Sequence, residues 1–138
     1  MTEGVAPLVA LIGFKRSKWA WMGGHRVLTV RDGRVRVLGR KGVDLDVPVR
    51  EMTARLTRAR AIEVRAPEQS AIIFGVLELG NLHTELRQIL VAESEGAELI
   101  GPAPTGFLGV YSPKAVTGQA QVGRAITEAL HARGVGQG

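Results

Sequence analysis

Two periodicities predict an α+β fold. From His25 to Phe74, apolar residues recur at every second position between short turn signals, the period of a half-buried β-strand. After Asn81, and again after Ser112, they fall three and four apart, the period of an amphipathic helix. Together these predict an antiparallel meander of about six to seven strands, closed or nearly closed, with an inserted helix and a C-terminal amphipathic helix. At 138 residues the chain suits one domain with one core, spanning residues 1–138.

The elements follow in order. Leu8–Phe14 is wholly apolar apart from its glycine and predicts a buried strand. Val27–Val30 and Val35–Leu38 flank Asp32-Gly33, a two-residue hairpin signal, because a type I′ turn needs φ > 0 at both central residues. Gly39-Arg40-Lys41-Gly42 reads as the next turn. Val43, Leu45, Val47 and Val49 then alternate with Asp44 and Asp46, which places both acids on one strand face. Pro48 belongs near that strand's end or at a sheet edge, since it donates no ladder hydrogen bond. Glu51–Thr57, Ile62–Arg65 and Ala71–Phe74 complete the strands.

Asn81 is a suitable N-cap for a helix whose stripe is Leu82, Leu86, Ile89 and Leu90. Residues 92–98 and 101–109 read as loop, and Phe107–Tyr111 as a short extra strand, so that 77–111 forms an insertion. Ser112-Pro113 starts the last helix, expected over 113–134, with Val122, Ile126, Ala129 and Leu130 as its stripe and Gly134 as its stop. Gly118 and Gly123 lie inside it and suggest close packing on the sheet.

Composition excludes several chemistries. Without cysteine there is no disulfide framework, zinc-thiolate site, iron–sulfur cluster or cysteine nucleophile. His25, His83 and His131 lie far apart, outside metal-ligand spacing, and no phosphate loop or nucleophile elbow is present. No catalytic residue, metal or cofactor is therefore expected, and the protein reads as non-enzymatic. The apolar run from Val5 to Phe14 is ten residues, against the ~20 of a membrane-spanning helix. Glu3 precedes it and Lys15, Arg16 and Lys18 follow it, the reverse of a secretory signal, so the expected location is the cytoplasm, with peripheral contact to a membrane as an extension.

The formal charge of +5 is unevenly spread. Residues 15–65 hold 14 Lys/Arg against five acids, a local +9, whereas residues 66–112 hold one Arg against six Glu, a local −5. A basic half of this kind points to an anionic partner. The densest stretch, Phe14 to Arg26, combines Lys15, Arg16, Lys18 and Arg26 with Trp19 and Trp21. Arg34, Arg36, Arg55, Arg58, Arg60 and Arg65 form an arginine row on alternating strands, a candidate nucleic-acid face, although no aromatic residue interleaves with it. For Asp44 and Asp46, the neighbouring cations favour cross-strand ion pairs over acid–base chemistry.

The stretch from His25-Arg26-Val27-Leu28-Thr29-Val30-Arg31-Asp32-Gly33 to Phe74, followed by the helix from Pro113, resembles small bacterial pleckstrin-homology-like (PH-like) domains, in which a terminal helix plugs one end of a bent barrel. The resemblance covers about half of the chain. No Trp, Phe or Tyr occurs after Pro113, where that family often has Trp, and the 77–111 insertion exceeds its plan. The resemblance implies a binding module for a partner protein or an anionic lipid-phosphate surface. It makes Lys15, Arg16, Lys18, Arg26, Arg34 and Arg36 candidate anion ligands, and Trp19 and Trp21 candidate interface residues. The alternatives are a basic nucleic-acid-binding protein, a small-molecule binder or enzyme with a pocket under the 77–111 insertion, and a homo-oligomer built on surplus apolar helix faces.

Overall fold

The apolar run at the start of the chain becomes the central strand of the sheet. In the computed structural model, which describes residues 6–17, 24–76, 79–80, 82–102, 106, 110–111 and 119–137, strand β1 (Leu8–Lys15) is buried from Leu8 through Phe14. Its side chains alternate between two cores. Leu8, Ala10, Ile12 and Phe14 enter the larger one, and Val9 and Leu11 the smaller.

Strands β2 (His25–Arg31), β3 (Arg34–Gly39) and β4 (Gly42–Pro48) run out from one edge of β1 as an antiparallel meander. Asp32 and Gly33 turn the β2–β3 hairpin with φ of 54° and 74°, the conformation their pairing predicts. Strands β5 (Thr53–Leu56), β6 (Ile62–Ala66) and β7 (Gln69–Gly75) form the other wing, giving the order β4-β3-β2-β1-β7-β6-β5.

The two sheet edges, β4 and β5, are therefore neighbours in sequence. A single 3-10 turn, Val49–Glu51, joins them, and the expected strand over Glu51–Thr57 begins only at Thr53. No β4–β5 ladder forms among the described residues, so the sheet is open where a closed barrel was one expectation. Chain from the C-terminus covers part of the β5 edge. The Ala54 N–H donates to the Gly136 carbonyl at 2.9 Å and the Gly136 N–H to the Met52 carbonyl at 2.9 Å. His131 adds its Nε2, 2.8 Å from the Ala54 carbonyl.

Helix α1 (Thr84–Ala92) lies on one face of the sheet and helix α2 (Gln119–Ala132) on the other. Leu86 and Leu90 of α1, with Leu82 before it, pack on Val9, Leu11 and Val27. Val122, Ala125, Ile126 and Leu130 of α2 pack on the apolar faces of both wings. Each of the Leu, Ile and Val side chains contributes about 1.5–3 kcal/mol on burial. The cap of α1 is His83, whose Nδ1 accepts from the Glu85 N–H at 3.1 Å; the expected cap, Asn81, lies outside the described residues. Residues 93–97 form the loop expected after Ala92, and between the two expected loops the chain contributes β8 (Glu98–Ile100), parallel to β1 and to β9 (Val110–Tyr111). β9 falls within the short extra strand expected over Phe107–Tyr111. The helix start expected at Pro113 lies outside the described residues.

Arg133 ties these parts together. Its largely buried guanidinium donates to the Ala6 carbonyl, to the Ala129 carbonyl and to Glu98 Oε1 at 2.9 Å. Among the described residues, no helix is long and apolar enough to cross a membrane.

The close approach of α2 to the sheet depends on Gly75 rather than Gly123. A Cβ on Gly75 would lie 2.8 Å from Val122 Cγ1 and 3.0 Å from the Gly123 nitrogen, whereas one on Gly123 would meet nothing nearer than 3.6 Å. Gly75→Ala is expected to destabilise the protein by about 1–3 kcal/mol through overpacking. Gly123→Ala is expected to stabilise it by up to about 1 kcal/mol through helix propensity. Urea denaturation of the two variants checks this, and equal effects of the same sign would contradict it.

Candidate functional site

Basic residues gather at one end of the sheet for a topological reason. In an up-and-down meander, the β1–β2 and β3–β4 connections lie at the same end. Residues 16–24 and the Arg40-Lys41 turn are those two connections. The N-terminal turn of α1 reaches the same place. Gly24 at the end of the first connection, the Arg40-Lys41 turn and the start of α1 border a cavity of about 470 Å³ whose walls include His25, Arg26, Arg40, Lys41, Asp44 and His83. That volume suits a small ligand. Arg40 and Lys41 are exposed and form no ion pair with any described residue.

A β-bulge decides where Asp44 points. The β3–β4 register passes from Val37↔Leu45 to Leu38↔Val43, so Asp44 is the extra residue. Strict alternation would put it on the face of Asp46; the bulge re-aims it. Its Oδ2 accepts from Arg26 Nε at 2.6 Å, and its Oδ1 from Arg16 Nη2 at 3.1 Å. Arg26 is in phase with Leu28 and Val30, which face the larger core, and it ends over the ring of Phe14, 5.4 Å from the centroid. Arg16 lies over the same ring at 5.5 Å. Cation–π attraction thus adds to the ion pairs. Gly39 leaves the room this requires, since a Cβ there would sit 2.8 Å from both Arg26 Nε and Asp44 Oδ2.

Asp46 keeps the alternation and faces outward. Arg34 Nε donates to its Oδ1 at 2.7 Å, and Arg36 Nε lies 3.6 Å from its Oδ2. The cross-strand pairing expected for both acids is thus present, but on two faces instead of one. A third trio of the same make-up, Arg55–Glu63–Arg65, sits on the exposed side of β5–β6 with contacts of 3.2 and 3.1 Å.

The candidate ligands consequently divide. Arg16 and Arg26 meet at Asp44 and Arg34 and Arg36 at Asp46; of the four, Arg26 alone lines the cavity. Lys15 ends β1, half-buried and opposite Ile72. Lys18, Trp19 and Trp21 lie outside the described residues. Arg58 and Arg60 sit exposed in the β5–β6 turn, apart from the cavity. Sequence reasoning passed over Arg40, Lys41, His25 and His83. A signal for the first two was present: cations between two hairpin glycines take no part in the core and share an end with the β1–β2 connection. The position of His83 depends on how the insertion folds back, which periodicity does not encode.

The hydrogen bond from Arg34, with the charges of Arg34 and Arg36, holds the Asp46 carboxyl below its ordinary value of 3.8 against an opposing effect of partial burial. A carboxyl whose pKa falls on folding stabilises the protein above its unfolded pKa and loses that contribution as pH drops through the folded value. Asp46→Asn is therefore expected to lower stability near neutrality and to converge on the parent protein below pH 3.8. With both partners well exposed, the difference is about 1 kcal/mol or less. Thermal melts from neutral to acidic pH check it, and a gap that widens on acidification would contradict it. No family model matches the chain, and neither a curated protein nor a solved structure does.

Proposed function

We propose that this protein is a non-enzymatic binding module of PH-like type that recognises a phosphate-bearing group in the cavity between the β1–β2 connection, the β3–β4 turn and the start of α1. The observation that carries the reading is the convergence there of Arg26, Arg40 and Lys41 with His25 and His83, against the single acid Asp44. Arg40 and Lys41, which form no ion pair with any described residue, keep much of their attraction for an anion, because low-dielectric walls focus the field. Two wings of antiparallel strands sharing β1, with a C-terminal helix packed over their apolar faces, support the PH-like part of the reading. In that family the first long loop is the usual phosphate site, and here Gly24, at the end of the β1–β2 connection, lines the cavity. The cavity also lies under the start of the 77–111 insertion, so the small-ligand alternative and the anion reading meet at one place.

A phosphate group reaches such a site from a lipid headgroup or from a soluble ester. Inorganic pyrophosphate and vesicles of phosphatidylcholine with and without phosphatidic acid separate the two sources. Pyrophosphate is expected to shift the amide resonances of Arg40, Lys41 and Asp44 at low salt. The double variant Arg40→Glu/Lys41→Glu is expected to bind at least about tenfold more weakly, the scale of one lost charge-assisted hydrogen bond. Vesicle binding that depends on phosphatidic acid assigns the headgroup; response to pyrophosphate alone assigns the soluble ester. No response to either, or equal binding by the double variant, would overturn the reading. Stronger binding to single-stranded DNA, with a steep salt dependence, would favour nucleic acid instead.

A further inference from the structure

We infer that Asp44 is a built-in counter-anion that sets a charge threshold at this site, admitting phosphomonoesters and rejecting phosphodiesters. The inference rests on the phosphate reading of the cavity and names the ester class it takes.

Asp44 stands where a ligand oxygen would stand. Guanidinium groups bind carboxylate and phosphate through the same planar fork, and here two of them hold one carboxylate. The arrangement is built in by several residues. The bulge turns Asp44 toward Arg26, Gly39 leaves the space, and Phe14 underlies both guanidinium groups. Asp44 also lines the cavity, with 21% of its side chain accessible, so an entering anion meets this carboxylate together with Arg26.

Charge then sorts the ligands. A phosphodiester carries one negative charge, no more than Asp44. Replacing the carboxylate gains nothing from the two arginines and forfeits the high effective concentration of a tethered group. Binding beside the carboxylate adds like-charge repulsion. A phosphomonoester carries nearly two charges above its second pKa near 6 and three strong acceptor oxygens. It outbids Asp44 for Arg26, the arginine of the pair that lines the cavity, and still reaches Arg40 and Lys41. Nucleic-acid backbones and the common bilayer phospholipids are phosphodiesters, so the same threshold works against both.

Methyl phosphate and dimethyl phosphate form a minimal pair of nearly equal size. NMR titration at about pH 7.5, above the second phosphate pKa, is expected to show the monoester binding at least about tenfold more tightly to the parent protein. Asp44→Asn and Asp44→Ser are each expected to bring the two esters within about threefold by tightening the diester. Asp46→Asn, at an ion pair away from the cavity, is expected to keep the parent ratio. Thermal melts show which variants are folded. Equal affinities in the parent protein, or an unchanged ratio in both Asp44 variants, would overturn the inference while leaving the cavity an anion site. No binding of either ester or of pyrophosphate by any folded variant would overturn the cavity reading itself.

Discussion

The fold is organised by one constraint: β1 is paired along both edges and packed on both faces. One edge takes β2 from Leu8 to Gly13, while the other takes β7 only from Ile12 to Lys15. That leaves the backbone groups of Leu8–Ala10 without a partner inside a buried layer, a costly arrangement. β8 resolves it by pairing with Leu8–Ala10 in parallel. The inserted segment is thus a working part of the sheet. It completes the central strand and, through α1, covers the face that Val9 and Leu11 would otherwise present to water. Arg133 holds the result in place, because its bonds reach the chain before β1, the end of α2 and β8 together.

The meander was legible because its strands obey simple alternation. Val35 and Val37 point in, and Arg34 and Arg36 point out. Asp32-Gly33 and Pro48 sit where their backbone preferences place them. Three features were not legible. The bulge at Asp44 leaves no local mark, since Val-Asp-Leu-Asp-Val reads as unbroken alternation. β8 is three residues long and parallel, so its existence depends on a distant unpaired edge rather than on its own sequence. The close contact of α2 was expected from Gly118, which lies outside the described residues, and Gly123, whereas the steric demand falls on Gly75 in the strand beneath Gly123. In each case the deciding partner is remote along the chain.

The local charge of +9 is also resolved locally. Arg16 and Arg26 share Asp44, Arg34 and Arg36 share Asp46, and Arg55 and Arg65 share Glu63, so six arginines of the basic half pair with three acids of the same half. The acidic insertion answers the basic half at Arg31, through the backbone carbonyls of Glu93 and Glu95. Exposed pairs of this kind add little stability. Their effect is on shape and reactivity: each trio keeps a residual positive charge but fixes its guanidinium groups in place. Two trios also shield an edge strand, as Arg16 reaches the Asp44 carbonyl and Arg34 the Asp46 carbonyl of β4, groups that would otherwise template pairing with another chain.

Of the three trios, the one at Asp44 departs from the logic of the core. Arg26 occupies a position whose phase calls for an apolar side chain, and Gly39 beside it supplies none. A sheet whose end were filled only for stability would place branched apolar residues at such positions, as it does at Leu28, Val30, Val35 and Val37. Local rules are broken most readily where another demand outweighs packing. Here the breaks coincide with the bulge, with the two guanidinium groups over Phe14 and with Arg40 and Lys41 of the β3–β4 turn, which form no ion pair with a described residue. A surface ion pair needs none of these supports, and four further arginine pairs among the described residues form without them. Their concentration around one carboxylate fits the proposed anion site, whose resting counter-charge would have to be held firmly and still be displaced by a stronger one.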